Sequence, residues 1–322
     1  MYPIRIGNRV RVAGIACLIG ASTIGPARAA ETWRVVIPTA AQGSTDVLSR
    51  ELARHMARAM NATVETENLP GKSGTIAARK VFAAAPDSRV LLMATVSSHA
   101  IAMGLPEAAA YGPDDFTPIA MIGTAPYLLV VANSSRYKSM KALIASARQE
   151  TLEYSSTGIG GPHHLVGELF AQKAQLTLVH RPYKGGADAL GAVIDGKVQM
   201  MLPAAILALP RMHDGSIRVL ATTGARRSSR IPEVPTMAEA GLDGFEADSW
   251  YVLVGPPRMV QADARRLSDT VAAVLRDPSF IKILDENGVD AGDMARESIP
   301  AFMNAEARKW GGLVTTLKVV PQ

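Results

Sequence analysis

Apolar positions in this chain fall into two registers, short continuous runs and four-residue repeats. Val35, Val36 and Ile37 are consecutive and β-branched, as in a strand covered on both faces, and Pro38 ends the run. Leu48, Leu52, Met56 and Met60 then recur every four residues, which predicts a helix with one buried face. Between them, residues 39–46 are small and polar. Ser44 or Thr45 is the predicted N-cap, and Asp46 falls in the first turn, where the helix dipole favours it. The same alternation continues. Strands are predicted at 63–67, 90–95, 116–121, 127–132, 152–156, 176–179, 198–202, 217–223 and 250–254. Helices are predicted at 76–84, 139–148, 163–173, 187–194, 263–275, 279–287 and 299–313. Such alternation implies α/β layers around mostly parallel sheets with helices on both faces, and ligand sites beyond the carboxyl ends of the strands.

The beginning of the chain belongs to none of this. Arg5, Arg9 and Arg11 form a basic region, residues 12–25 are apolar and small, and Ala27-Arg28-Ala29 has the form of an export cleavage site. Residues 1–29 therefore read as a signal peptide cleaved after Ala29, and the product as a soluble periplasmic protein. The segment carries four arginines and no acid, so its removal lowers the formal charge from +5 to +1. The basic pI then says nothing of nucleic acid. The single cysteine, Cys17, leaves with the same segment, which excludes disulfides and thiol chemistry. No later run is long and apolar enough for membrane insertion.

Chemistry-bearing residues are sparse. Ser, His and Asp are all present, but neither G-x-S-x-G nor S-x-x-K occurs. His99, His163, His164 and His180 are spread over three loops without metal-ligating spacing, so no metal and no cofactor is expected. Residues 157–162 hold three glycines but lack the dinucleotide fingerprint. What remains is two strand–loop–helix turns, 37–46 and 156–164, whose backbone N–H groups and hydroxyls suit an anion. That pattern points to binding without catalysis.

Several short motifs in order carry a resemblance. Gly43-Ser44-Thr45-Asp46, the 67–74 stretch ENLPGKSG, Ser98-His99, the 154–158 stretch YSSTG, His164-Leu165, the 182–185 stretch PYKG and the 234–241 stretch VPTMAEAG together resemble the extracytoplasmic solute receptors of tripartite tricarboxylate transporters, the Bug family. The resemblance covers about 31–310. It implies a two-lobed, type II periplasmic binding protein of the Venus-flytrap kind. Lobe 1 would comprise 30–127 and 250–322 and lobe 2 residues 128–249, with crossings near 126–131 and 250–254. It also implies a monomer that closes over a small carboxylate and hands it to a membrane permease. A membrane sensor as partner and an exported hydrolase are the alternatives. The implied ligand-binding residues are Thr39, Gly43, Ser44, Thr45, Asp46, Ser98 and His99 on one side. Ser156, Thr157, Gly158, His164, Tyr183 and Gly185 would face them. Ala40-Ala41-Gln42 replaces the proline- and glycine-rich start of the family's first loop, and Pro203 an acidic position, which implies an altered pocket.

Overall fold

A computed structural model describes residues 1–3, 31–105 and 110–317. Apart from its first three residues, the expected signal peptide lies outside the described residues. The strands are β1 (Thr32–Ile37), β2 (Thr63–Asn68), β3 (Val90–Thr95), β4 (Thr117–Pro126), β5 (Leu128–Ala132), β6 (Leu152–Ser156), β7 (Leu178–Pro182), β8 (Met200–Met201), β9 (Ile217–Thr222), β10 (Asp248–Gly255) and β11 (Asp290–Ala291). The helices are α1 (Ser44–Met60), α2 (Thr75–Phe82), α3 (Val96–His99), α4 (Met140–Ala147), α5 (Pro162–Ala174), α6 (Gly186–Ile194), α7 (Ala205–His213), α8 (Gln261–Val274), α9 (Pro278–Glu286) and α10 (Ile299–Thr316).

The strands make two sheets, β11-β4-β10-β3-β1-β2 and β7-β6-β8-β5-β9, which define two α/β lobes. Both sheets are mixed, with most strands of each running the same way. In each, the strands that precede helices run parallel: β1 with β2 and β3, and β6 with β7 and β8. The strands next to the chain crossings run against them: β10 against β3 and β4, and β5 against β8 and β9.

Alternation builds the first lobe's core. Val35, Leu91, Met93 and Leu253 pack on one face against Leu48, Leu52 and Met56 of α1. Val36, Leu92, Ala94 and Val252 turn the other way, toward α2 and α10. That second cluster runs on through Tyr127, Ala247 and Trp250 into Leu129, Tyr154 and Phe170 of the other lobe, so on this face the two lobes share one core. On the opposite face the cores stay separate, with Leu128, Val130, Ile231 and Val234 forming their own cluster.

The first crossing is Tyr127, between β4 and β5. Its N–H donates to Thr223 Oγ1 at 2.8 Å and its carbonyl accepts from Thr223 N at 3.0 Å. Trp250–Val254, expected at a crossing, lies inside β10 and pairs with β4 from Asp248 onward. The return strand joins the first sheet earlier than its apolar run suggests, because Asp248 pairs with Pro126 despite its polarity.

Candidate functional site

Parallel β1, β2 and β3 put the loop after β1 and the start of α3 at one sheet edge. Parallel β6, β7 and β8 do the same for the loops before α5 and α6. In the first lobe the loop is Pro38 to Gly43. Gly43, not Ser44 or Thr45, is the N-cap of α1, and no side chain caps it. Val47 N donates to Gly43 O at 3.0 Å, so the N–H groups of Ser44, Thr45 and Asp46 have no acceptor within the helix. Thr39 adds a buried hydroxyl without a protein partner. Its carbonyl accepts from Asn68 Nδ2 at 3.1 Å, which fixes the loop against β2.

Asp46 is buried and its oxygens are taken. Oδ2 accepts from Gln42 N at 2.8 Å, and Oδ1 from Arg50 Nε at 2.9 Å and Asn68 Nδ2 at 2.8 Å. Burial pushes this carboxyl up, but the hydrogen bonds from Arg50, Gln42 and Asn68 outweigh it and leave it below the usual range. Its geometry is that of a loop anchor. Arg50 extends the anchor to Thr66 and to Asn68 Oδ1, at 2.8 and 2.6 Å. The i,i+4 spacing of Asp46 and Arg50 is visible in the sequence and signals this pair.

Ser98 and His99 do not reach the loop surface. Both are fully buried; the His99 ring packs edge-on against Phe116 at 4.8 Å and tilted on Tyr111 at 5.4 Å. Ser98 Oγ bonds His99 Nδ1 at 2.9 Å, and Tyr111 OH donates to Ser98 O at 2.6 Å. Burial depresses His99 to about 3, so the imidazole is neutral.

The second lobe builds its loop differently. Gly158 and Gly160 have φ of +130° and +76°, conformations that L side chains rarely adopt, and an added Cβ on Gly158 would point into open space. Ser156 is buried. Its Oγ accepts from Gly158 N at 3.1 Å and shares a 2.6 Å hydrogen bond with His180 Nε2. Thr157 Oγ1 bonds His163 Nδ1 at 2.8 Å, and His163 stands edge-on to Tyr127 at the crossing, 5.8 Å between centroids. His164 Nδ1 accepts from Gly160 N at 3.1 Å, and its ring stacks on His180 at 4.0 Å. Tyr154 also stacks on His180, at 5.0 Å, and donates to Glu168 at 2.6 Å. Burial lowers His163 to about 4; burial and then the neighbouring His164 lower His180 to about 4. Burial also lowers His164, against the pull of Glu168. The pairing of Ser156 with His180 rather than His164 has no local sequence signal, because the two lie on different strands.

Tyr183 N donates to Ser156 O at 2.9 Å, which sets the third loop beside the second. Gly185 is the N-cap of α6 in extended backbone. A depression of about 870 Å³ opens over these two loops, lined by Thr157, Gly158, Gly161, Tyr183, Lys184 and Asp188 among others. Among the described residues no three His, Cys, Asp or Glu side chains gather as a metal site, and no helix is long and apolar enough to cross a membrane.

The family model described as "Tripartite tricarboxylate transporter family receptor" matches residues 48–319. Protein BugT of Bordetella pertussis is 30% identical over 322 residues, covering 96% of this chain and 95% of the relative. A Rhodopseudomonas palustris protein solved with adipate is 30% identical with a TM-score of 0.78, covering 91% of this chain and 99% of that one. MatC of the same organism, solved with malate, is 27% identical with a TM-score of 0.75, covering 88% and 99%. The family model spans most of both lobes, and the chain is a member of the tripartite tricarboxylate transporter receptor family.

Proposed function

We propose that this receptor captures a small dicarboxylate between the loop after β1 and the loop after β6 and delivers it from the periplasm to a permease. The observation that carries the reading is the pair of strand-to-helix turns, one in each lobe. One presents the unspent N–H groups of Ser44 and Thr45 and the unpartnered Thr39 hydroxyl. The other presents Thr157 and an open Gly158. Hydrogen bonds to a carboxylate from such donors are worth roughly 1.5–3 kcal/mol each once water is excluded, so a few suffice for micromolar capture. The adipate- and malate-bound relatives support the ligand class.

In this reading Thr39, Gly43, Ser44, Thr45, Thr157, Gly158, Tyr183 and Gly185 face the solute. Asp46, Ser156 and His164 hold the loops, and Ser98 and His99 pack behind them. The lobes divide near Tyr127 and near the start of β10, the export segment is cleaved after Ala29, and the mature chain works as a monomer.

The 2.6 Å Ser156–His180 pair gives a hydrolase reading its best footing. Two features weigh against it. His180 is depressed to about 4, which makes it a poor base at neutral pH, and the Ser156 hydroxyl is buried among the atoms of its own loop. Mass spectrometry of solute released from the denatured mature protein tests the proposal, alongside thermal shifts with malate and adipate. A released or stabilising dicarboxylate is expected. Ester or amide turnover that disappears in Ser156→Ala would overturn the receptor reading.

A further inference from the structure

We infer that Arg230 is a positioning residue for solute capture, pinning the two lobes against twisting on the face where their cores are not shared. Arg230 lies in the segment after β9. Its neighbours Ile231 and Val234 are buried in the second lobe's own cluster, and Thr236 bridges to Thr222 of β9. Its guanidinium reaches across to the first lobe. Nε donates to Asp285 O at 2.9 Å, NH1 to Asp290 Oδ1 at 2.9 Å, and NH2 to Asp285 Oδ1 and Val289 O at 2.7 Å each. Four of the five N–H donors of an arginine are thus spent on one turn.

Ordinary surface ion pairs contribute little, because water screens them and two long side chains must be ordered. This one differs in three respects. The arginine side chain is only 14% exposed. Two of its acceptors are main-chain carbonyls at and just beyond the C-terminal end of α9, where a cation is favoured. The spread of acceptors also fits a planar fork, which a lysine cannot reproduce. Next to it the lobes touch closely: a Cβ on Gly288, which follows α9, would stand 2.8 Å from Ala205 Cβ at the start of α7.

The placement gives the pin its leverage. Asp290 pairs with Thr124 of β4, two residues before the end of that strand at the crossing. On one face the lobes share a continuous apolar core through Tyr127 and Trp250. On the other, Arg230 and the Gly288–Ala205 approach join two separate cores. With the pin in place, motion is confined to bending about the shared core; without it the lobes also twist, and the loops after β1 and β6 lose their register.

The test uses the mature protein with Arg230→Met and Arg230→Lys. Small-angle scattering of the unliganded Met variant should give a larger radius of gyration than wild type, with Lys in between. Calorimetry with malate and adipate should show at least a threefold weaker affinity in Arg230→Met. An unchanged radius and affinity with only a lowered melting temperature would reduce Arg230 to a stability contact and overturn the inference. A tighter affinity would overturn it too, since the pin would then hold the lobes apart. The inference rests on the capture reading for its affinity arm, while the scattering arm needs no solute. Failure of both dicarboxylates to bind wild type therefore counts against the proposed ligand class and leaves the scattering arm to decide on the pin.

Discussion

The two loops proposed to hold the solute have the same plan and opposite engineering. Each follows a parallel strand and opens a helix. The first is held by charge: Asp46 gathers Gln42, Asn68 and Arg50 around a buried carboxylate. The second is held by neutral groups: His163, His164 and His180 bind Thr157, Gly160 and Ser156 through ring nitrogens, and glycines supply the turn. A helix N-terminus can be presented by either device. What differs is the failure mode, since an ionic anchor fails when its acid is protonated and an imidazole stack fails when its bases are. Backbone tolerance differs as well, because Gly43 sits at φ −82° and Gly158 at φ +130°.

The largest contrast is expected from that backbone difference. Gly158→Val forces a β-branched residue into a conformation whose strain is of order 1–3 kcal/mol, and its side chain would fill the open space above the loop. Dicarboxylate affinity should fall by about ten- to a hundredfold on that scale, measured by calorimetry with malate and adipate. Binding of the Gly158→Val protein at wild-type affinity would remove the second loop from the site.

Acid should separate the two loops next. His163 and His180 titrate at about 4 and His99 at about 3 when folded, all pushed down by burial from 6.5. The unfolded chain therefore binds protons first. Stability from these residues is complete above pH 6.5 and is lost progressively as pH falls toward 4. Asp46 is depressed below 3.8, so its contribution survives that window and is lost only at lower pH. Asp248 works in the opposite direction: burial raises it to about 7, so it disfavours the fold as pH rises from 3.8 to 7. The diagnostic quantity is thus a difference between proteins. Denaturant unfolding of wild type and His180→Gln should converge as pH drops from 6.5 to 4, because the variant lacks one titrating base. Parallel curves across that window would mean that the imidazole stack stores no acid-sensitive stability.

Much of this contrast is invisible in the sequence, for identifiable reasons. The strand-to-helix plan of both loops is legible because Val35–Ile37 and the Leu48-Leu52-Met56 repeat obey simple periods, and both sets are buried as expected. Helix α7 escapes because Pro210 lies inside it and breaks the pattern a reader looks for. Strand β7 runs through Pro182, which reads as a loop, because β7 is an edge strand and can lack a donor there. The partners of Arg230 lie 55 to 60 residues away, and His180 lies 24 from Ser156, so neither contact has a local signature. Ser98-His99 shows the reverse case: the polar pair after the strand is plain in the sequence, but its burial under Tyr111 and Phe116 is not.

A smaller effect should follow from loosening the ionic anchor without unloading it. Asp46→Asn keeps one oxygen for Gln42 or Asn68 but removes the charge that Arg50 faces. Hydrogen bonds to charged groups contribute roughly 1.5–3 kcal/mol, and with part of the network retained the cost should be about 1–2 kcal/mol, read from the urea midpoint. Affinity for a dicarboxylate should change less than in Gly158→Val, because the carboxylate shapes the loop without donating to solute. A loss of binding larger than that of Gly158→Val would mean that Asp46 meets the ligand itself.

The smallest effect is expected at Gly43, and it is the sharpest check on the asymmetry. The first-loop glycine invites the same reading as Gly158, a residue conserving a backbone shape that others cannot take. Its φ of −82° and ψ of 167° are ordinary extended values, and an added Cβ would meet only Ala40 O at 3.7 Å, a normal contact. Gly43→Ala therefore costs no strain. It trades a tolerated N-cap for a poor one, and the penalty should be a few tenths of a kcal/mol up to about 1. The methyl group leaves the N–H groups of Ser44 and Thr45 where they are. Dicarboxylate affinity should stay within about threefold of wild type, a difference of roughly 0.6 kcal/mol. A tenfold loss in Gly43→Ala would show that solute packs against the glycine itself, and the two loops would then depend on glycine for the same reason.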